Sequence, residues 1–258
     1  MSDPGIELLL VLLAAFGAGL VDAMVGGGGL IQLPALFSAF PATSPPILLG
    51  TNKFASVFGT SSAVLRFSRG LKIPWRTLAP LLPVVFLGAL GGARLAVLVP
   101  PAVFRPLVPI LLSGVLLYVL WHKNLGVHHA PIARGGWRWY MAAGILGLVG
   151  FYDGFFGPGT GSFFMLLFVR LFGYDFLHSA ASARLLNVAT NVGALLYFGA
   201  SVDILWALGA GMAVANVAGA AVGVGLALRH GSGLVRRIFI VVVTVLILRT
   251  AWQAYFGP

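Results

Sequence analysis

The sequence has no cysteine and almost no charge: of its 258 residues 9% are charged, and only six are acidic. Without cysteine there is no disulfide, no thiolate nucleophile and no thiolate metal ligand, and the redox compartment leaves no trace. Soluble domains carry about 25% charged residues, so a water-exposed globular surface is excluded over most of the chain. The five histidines, 122, 128, 129, 178 and 230, fall between apolar segments without metal-ligand spacing and are expected in solvent. No metal or cofactor is expected. No nucleophile and base stand together, which argues against an enzyme. No basic run has the density of a nucleic-acid surface, despite a net charge of +10. The N-terminus lacks a basic leader region and a cleavage site, so its first apolar run is expected to remain in the mature protein.

What is present is apolar. Hydrophobic residues make up 59% of the chain and mean hydropathy is +1.01. Runs of about 20 apolar residues, long enough to cross a bilayer, recur throughout. The expected fold is an all-α polytopic membrane protein, with residues 1–258 forming a single membrane domain.

Two glycine-rich interruptions organise this domain. Gly19 to Leu30 reads GLVDAMVGGGGL, and 131 positions later Gly150 to Gly161 reads GFYDGFFGPGTG, so that Gly19, Asp22, Gly26 and Gly28 fall on Gly150, Asp153, Gly157 and Gly159. The same offset pairs Ala63 with Ala194, Phe67 with Phe198, Trp75 with Trp206, Arg105 with Arg236 and Trp121 with Trp252. The chain is a duplication, repeat one over 1–127 and repeat two over 132–258. In the first repeat an apolar helix over 6–25 breaks at 26–29 and resumes over 30–40. That second arm reaches about 16 Å, short of a roughly 30 Å hydrocarbon core, which predicts a short or re-entrant hairpin. Three helices follow, near 47–67, 76–98 and 104–121. Gly88 and Gly92, matched by Gly219 and Gly223, have the spacing on which helices pack closely.

Charge orients the repeats. Segment 66–76 carries Arg66, Arg69, Lys72 and Arg76, whereas its equivalent over 197–206 carries only Asp203. Basic loops stay cytoplasmic, so the two belong on opposite faces and the repeats are inverted. Placing 66–76, 122–138, 170–178 and 229–237 inside accounts for eleven of the sixteen basic residues and puts both termini outside.

Broken helices at membrane depth are tolerated where protein or a water-filled cavity satisfies the freed backbone, and paired breaks point to a transporter's binding site. After each break comes a helix with a polar stripe at spacing 0, 3 and 7, one face of a helix: Lys53, Ser56 and Thr60, then Arg184, Asn187 and Asn191. A cation on either side of the midplane suits an anion path; the competing reading is that both long side chains reach the interface. The backbone of Gly26, Gly27 and Gly28, and of Gly157, Gly159 and Thr160, either offers N–H groups to an anion or only makes the turn. Asp22 and Asp153 are either proton-carrying carboxylates or structural groups that cap free N–H groups or neutralise Lys53 or Arg184. The structural reading is favoured, with Arg184 or backbone N–H groups expected to hold Asp153, because a neighbouring cation keeps a carboxylate ionised. Asn52 and Asn216 are read first as helix-to-helix hydrogen-bonding residues.

VDAMVGGGGLIQLPAL with GTNKFASVFGTSSA, and GFYDGFFGPGTGSFF with RLLNVATNVGALL, resemble the TauE/SafE family of sulfite exporters and sulfonate permeases, and its YfcA-like branch most. The resemblance covers nearly the whole chain. It implies secondary transport of small sulfur-containing anions across the prokaryotic plasma membrane, with the lipid bilayer as surroundings; the proton is a candidate coupling ion only through the reading of Asp22 and Asp153 as proton carriers. Arg184 stands where that branch leads one to expect lysine. A permease for another organic anion, or a passive anion channel, are the alternatives. Oligomeric state has no signal in the sequence.

Overall fold

A computed structural model describes residues 4–98 and 136–255. Within them the chain is helical, without strands: α1 (Pro4–Val25), α2 (Gly28–Ala39), α3 (Pro45–Gly70), α4 (Trp75–Leu78), α5 (Leu81–Leu98), α6 (Trp137–Phe155), α7 (Thr160–Phe172), α8 (Phe176–Ser201) and α9 (Trp206–Tyr255). The helix expected over 104–121, and His122, His128 and His129, lie outside the described residues. Among those described, three helical stretches are long and apolar enough to cross a membrane: Gly5–Val25, Leu81–Leu98 and Trp206–Ile238.

Two helices are of equal length at the 131-residue offset. α3 and α8 each span 26 residues, and both their starts and their ends are 131 positions apart. Pro45 begins α3, where its missing N–H costs nothing. The equivalent start of α8 is capped instead by Asp175, whose carboxylate accepts from the His178 N–H. The expected helix over 76–98 is divided, because Pro80 cannot donate a helical hydrogen bond: α4 stops at Leu78 and α5 begins at Leu81. The turn expected over 229–237 is narrowed to one non-helical residue, Gly231, with φ 68° and ψ −166° inside α9.

Both glycine interruptions are real breaks. Gly26, at φ 85°, ends the first long helix, and Gly157 and Gly159, at φ 94° and 81°, separate α6 from α7. The arms that follow have 12 and 13 residues, about 18 and 20 Å at a rise of about 1.5 Å per residue. Both are too short for a hydrocarbon core, as expected of short hairpin arms.

The first helix of each repeat packs on a glycine-bearing helix of the other, at equivalent positions. Gly219 and Gly223 of α9 lie against the carbonyls of Phe16 and Leu20 on α1, while Gly88 and Gly92 of α5 lie against those of Gly147 and Phe151 on α6. A methyl group at any of these glycines would collide with backbone, so the spacing read from the sequence is a close-packing device. Two apolar clusters fill the interior. One gathers Phe164, Phe168 and Phe172 of α7 with Phe67 and Phe176; the other gathers Leu33, Leu36, Leu49, Phe155 and Phe198. Lys53, Thr60, Arg184, Asn187, Asn191 and Asn216 are buried on the same helices and belong to neither cluster.

Candidate functional site

The two hairpin tips cross. The Cα of Gly26 lies against the Gly161–Ser162 peptide so closely that a side chain on either glycine would occupy the other's backbone. The Ser162 hydroxyl, buried at the start of α7, donates to the Val25 carbonyl at 2.7 Å and so uses an acceptor that the end of α1 leaves free. Within the second hairpin Tyr152 Oη donates to the Pro158 carbonyl at 2.8 Å and holds the turn.

At this crossing the four charged residues pair across the repeats. Lys53 Nζ meets Asp153 Oδ1 at 2.8 Å, and Arg184 Nη1 meets Asp22 Oδ2 at 2.6 Å. Asp153 is therefore held by Lys53, not by Arg184 as expected; each cation reaches over the crossed hairpins to the aspartate of the opposite repeat. The equivalent pairs differ in detail. Asp22 Oδ1 also accepts from the Gly28 N–H at 3.3 Å, and the Asp22 carbonyl accepts from Arg184 Nη1, so this aspartate caps α2 and clamps the guanidinium together. Asp153 has no such second contact: its Oδ2 is buried and without a hydrogen-bond partner among the described residues. Gly157 lies over the Lys53–Asp153 pair, its missing side chain leaving 3.0 Å between an added methyl and Lys53 Nζ.

A small polar cavity of about 30 Å³ opens beside the Lys53–Asp153 pair. It is larger than the roughly 10–15 Å³ needed to hold one water. From the expected set it is lined by Lys53, Ser56, Thr60, Asn187, Asn191, Gly26, Gly28 and Gly157, together with Asp22, Asp153 and Asn52. Arg184, Gly27, Gly159 and Thr160 do not line it; Arg184 is fully buried against Asp22 and Gly161. The Thr160 hydroxyl instead donates to the Gly157 carbonyl at 2.7 Å.

Gly29, Gln32, Gly161 and Asn216 line the cavity without having been singled out as ligand groups. Asn216 Nδ2 donates to Gln32 Oε1 at 2.9 Å, which joins α9 to α2 as expected of a helix-to-helix hydrogen bond, and Gly59 makes room for the amide. Gln32 carried a signal that was missed, as the one amide in the apolar arm LIQLPAL. Gln32 Nε2 and Asn52 Oδ1 are buried without partners among the described residues, a donor and an acceptor left over beside the cavity.

The profile described as "Sulfite exporter TauE/SafE" matches residues 11–250. The chain belongs to the TauE/SafE family. Its relatives include "Probable membrane transporter protein ORF9" of Sinorhizobium sp, 38% identical over 256 residues that cover 96% of this chain and 94% of the relative. "Probable membrane transporter protein YfcA" of Escherichia coli K12 is 35% identical over 95% of this chain and 90% of its own length. A "Probable membrane transporter protein" of Haemophilus influenzae is 35% identical over 93% and 92%. No solved structure matches. The family is one of membrane transporters, with a small molecule as cargo, and the long apolar helices are those of a multi-pass membrane protein.

Away from the cavity, the loop between α7 and α8 holds a second polar cluster. Asp175 Oδ2 meets His178 Nδ1 at 2.7 Å, and Ser232, next to the Gly231 kink, donates to Asp175 Oδ1 at 3.1 Å while accepting from the Leu177 N–H. Burial raises the Asp175 carboxyl, but the His178 ring and N–H and the Ser232 hydroxyl outweigh it and hold it down at about 2. His178 is thus engaged with Asp175 rather than free in solvent, while His230 is exposed as expected.

Proposed function

We propose that this chain is a secondary transporter of small anions, sulfur-containing oxyanions such as sulfite and sulfonates first among them, working by alternating access around the crossed hairpins. The observation that carries this reading is the Lys53 ammonium, buried beside a cavity lined by hydroxyls, amides and hairpin glycines. Ionisable groups inside spans are costly and mark transport pathways, and broken helices meeting near the middle of two repeats are where transporters bind cargo. The description of the matching family supports the sulfur oxyanion. Both cations are paired with an aspartate, and Lys53 is the one that borders the cavity, whereas Arg184 does not line it.

In this reading the repeats are inverted in a prokaryotic plasma membrane, with both termini outside. The exchange of equivalent contacts between α1 and α9 and between α5 and α6 supports a two-fold relation, and the opposed charge of segments 66–76 and 197–206 supports the inversion. Single cysteines at Ser68 and Ser201 should label from opposite faces of the membrane; labelling from one face would remove the inversion.

The function is tested by gradient-driven flux in proteoliposomes with sulfite, methanesulfonate and sulfur-free organic anions. Accumulation of a sulfur oxyanion that Lys53→Gln abolishes is the expected result. Accumulation of a sulfur-free anion alone would move the chain to the organic-anion permeases, and flux that never exceeds passive equilibration would make it a channel.

A further inference from the structure

We infer that Asp153, and not its repeat equivalent Asp22, carries the proton of the transport cycle, and that protonating it frees Lys53 to hold the anion. The inference rests on the transporter reading and deepens it by naming the coupling group and the charge of the cargo. It reverses the structural role that the sequence favours for Asp153.

The two aspartates occupy equivalent positions but have different oxygens to spare. Asp22 uses Oδ1 to cap Gly28 and Oδ2 to hold Arg184. Asp153 uses Oδ1 for Lys53, while Oδ2 is buried, unpartnered and on a residue that lines the cavity. An unpaired carboxylate oxygen in a buried site is costly, and a proton on that oxygen removes the cost by turning it into a donor. An acceptor stands in the same cavity wall without a donor of its own: Asn52 Oδ1. A metal cation would need several further oxygen ligands and would sit one carboxylate away from an ammonium, whereas a proton needs only the one oxygen.

The charged and titratable groups around Asp153 are few. α3 brings Lys53, α1 brings Asp22 and α8 brings Arg184, which Asp22 neutralises. α6 itself brings Tyr152, whose hydroxyl is spent on Pro158. The basic residues of α5 and α7, Arg94 and Arg170, are exposed. α2 and the described side chains of α9 that line the cavity, Gln32 and Asn216, are neutral amides.

The charge balance follows. With Asp153 ionised the Lys53–Asp153 pair is neutral and closed. A proton taken from water on one side leaves a single positive charge on Lys53, and one monoanion returns the site to neutrality. Release of the anion and of the proton on the other side restores the pair. One proton accompanies each monoanion, so the loaded site crosses without net charge.

Two measurements on the full chain test this. The first needs no substrate: infrared difference spectra of the purified protein between neutral and mildly acid buffer. The carbonyl stretch of a weakly hydrogen-bonded carboxylic acid is expected in the wild type and in Asp22→Asn, and its absence is expected in Asp153→Asn. The second is uptake of methanesulfonate, whose charge is fixed over that pH range. An inward proton gradient should drive it in the wild type, an imposed membrane potential should not, and Asp153→Asn should remove the proton dependence. If Asp153→Asn does not fold, Asp153→Glu must shift the infrared band while Asp22→Asn leaves it in place. A band that survives in Asp153→Asn, is unmoved in Asp153→Glu, is lost in Asp22→Asn or is missing from the wild type overturns the assignment. A band that behaves as expected without sulfonate uptake supports the proton site and removes the sulfonate cargo; sulfonate uptake without the band does the reverse.

Discussion

The Lys53–Asp153 and Arg184–Asp22 pairs stand 131 positions apart in the sequence and have different surroundings. Arg184 is wholly enclosed, its Nη1 shared between the Asp22 carboxylate and the Asp22 carbonyl while Nε and Nη2 have no partner among the described residues, and Asp22 at the same time caps the short arm α2. Lys53 makes one contact with its aspartate and otherwise borders a cavity. A planar guanidinium suits a clamp between several acceptors, whereas an ammonium on a flexible stem lets go of one partner and takes another. The two equivalent pairs thus differ in enclosure: the arginine pair is shut in, and the lysine pair borders open space.

Glycine provides the harshest test of that contrast. Gly26→Ala places a methyl into the Gly161–Ser162 backbone at a residue with φ 85°. Nothing there can give way, so the variant is expected to lose folding yield altogether, read as monodisperse protein after extraction. At Gly157 the same methyl stands 3.0 Å from the end of the Lys53 side chain, which can move, and 3.1 Å from the Asp153 carbonyl, a milder approach than at Gly26, although φ is 94°. Gly157→Ala should be recovered folded at reduced yield, with altered anion affinity. Equal yields for the two would show that the hairpin tips are not in contact.

The cations come next. Arg184→Gln breaks a buried pair, which costs about 3–5 kcal/mol, and should lower thermal stability sharply. Lys53→Gln should lower stability less, because Lys53 borders a cavity with room for water while Arg184 is enclosed, and should instead weaken anion binding by the roughly 1.5–3 kcal/mol typical of a charge-assisted hydrogen bond. Stability and affinity measured side by side check the division; a reversed order would exchange the two roles.

The smallest expected effect lies at the helix starts. Asp175 caps α8, whereas its equivalent Ser44 makes no side-chain cap to α3. Because the folded carboxyl is held down at about 2, below the ordinary carboxylate range, its contribution is complete above about pH 4 and is lost as pH falls towards about 2. With solvent screening the contribution is about 1 kcal/mol. Asp175→Asn should flatten that acid limb of the stability curve, while Ser44→Ala should leave it unchanged.

Much of this was legible in the residues. The breaks at Gly26 and Gly157, the short second arms and the close-packing glycines follow from local backbone physics, since glycine and apolar run length act on their own neighbours. The stripe Lys53, Ser56, Thr60 and its partners Asn187 and Asn191 was readable because helical spacing puts them on one face. What escaped depends on how distant segments cross. That Lys53 would meet Asp153 and Arg184 would meet Asp22 follows only once the hairpin tips interlock. Gln32 looked like an accident of an apolar arm until α9 brought Asn216 to it. His178 looked like a loop residue until the helix start beside it supplied Asp175.

The Gln32–Asn216 bond has one more consequence. Shifted by the repeat offset, Gln32 becomes Phe163, Asn216 becomes Val85 and Asn52 becomes Ala183, while Lys53, Gly28 and Gly29 become Arg184, Gly159 and Thr160. If the chain alternates by letting its halves trade conformations, the chamber that faces the opposite side of the membrane is built around the arginine and has greasy walls where this one has amides. The cargo would then leave the two chambers with different ease, and half-saturating concentrations measured from the two sides would be unequal, because three amides on one side have apolar equivalents on the other.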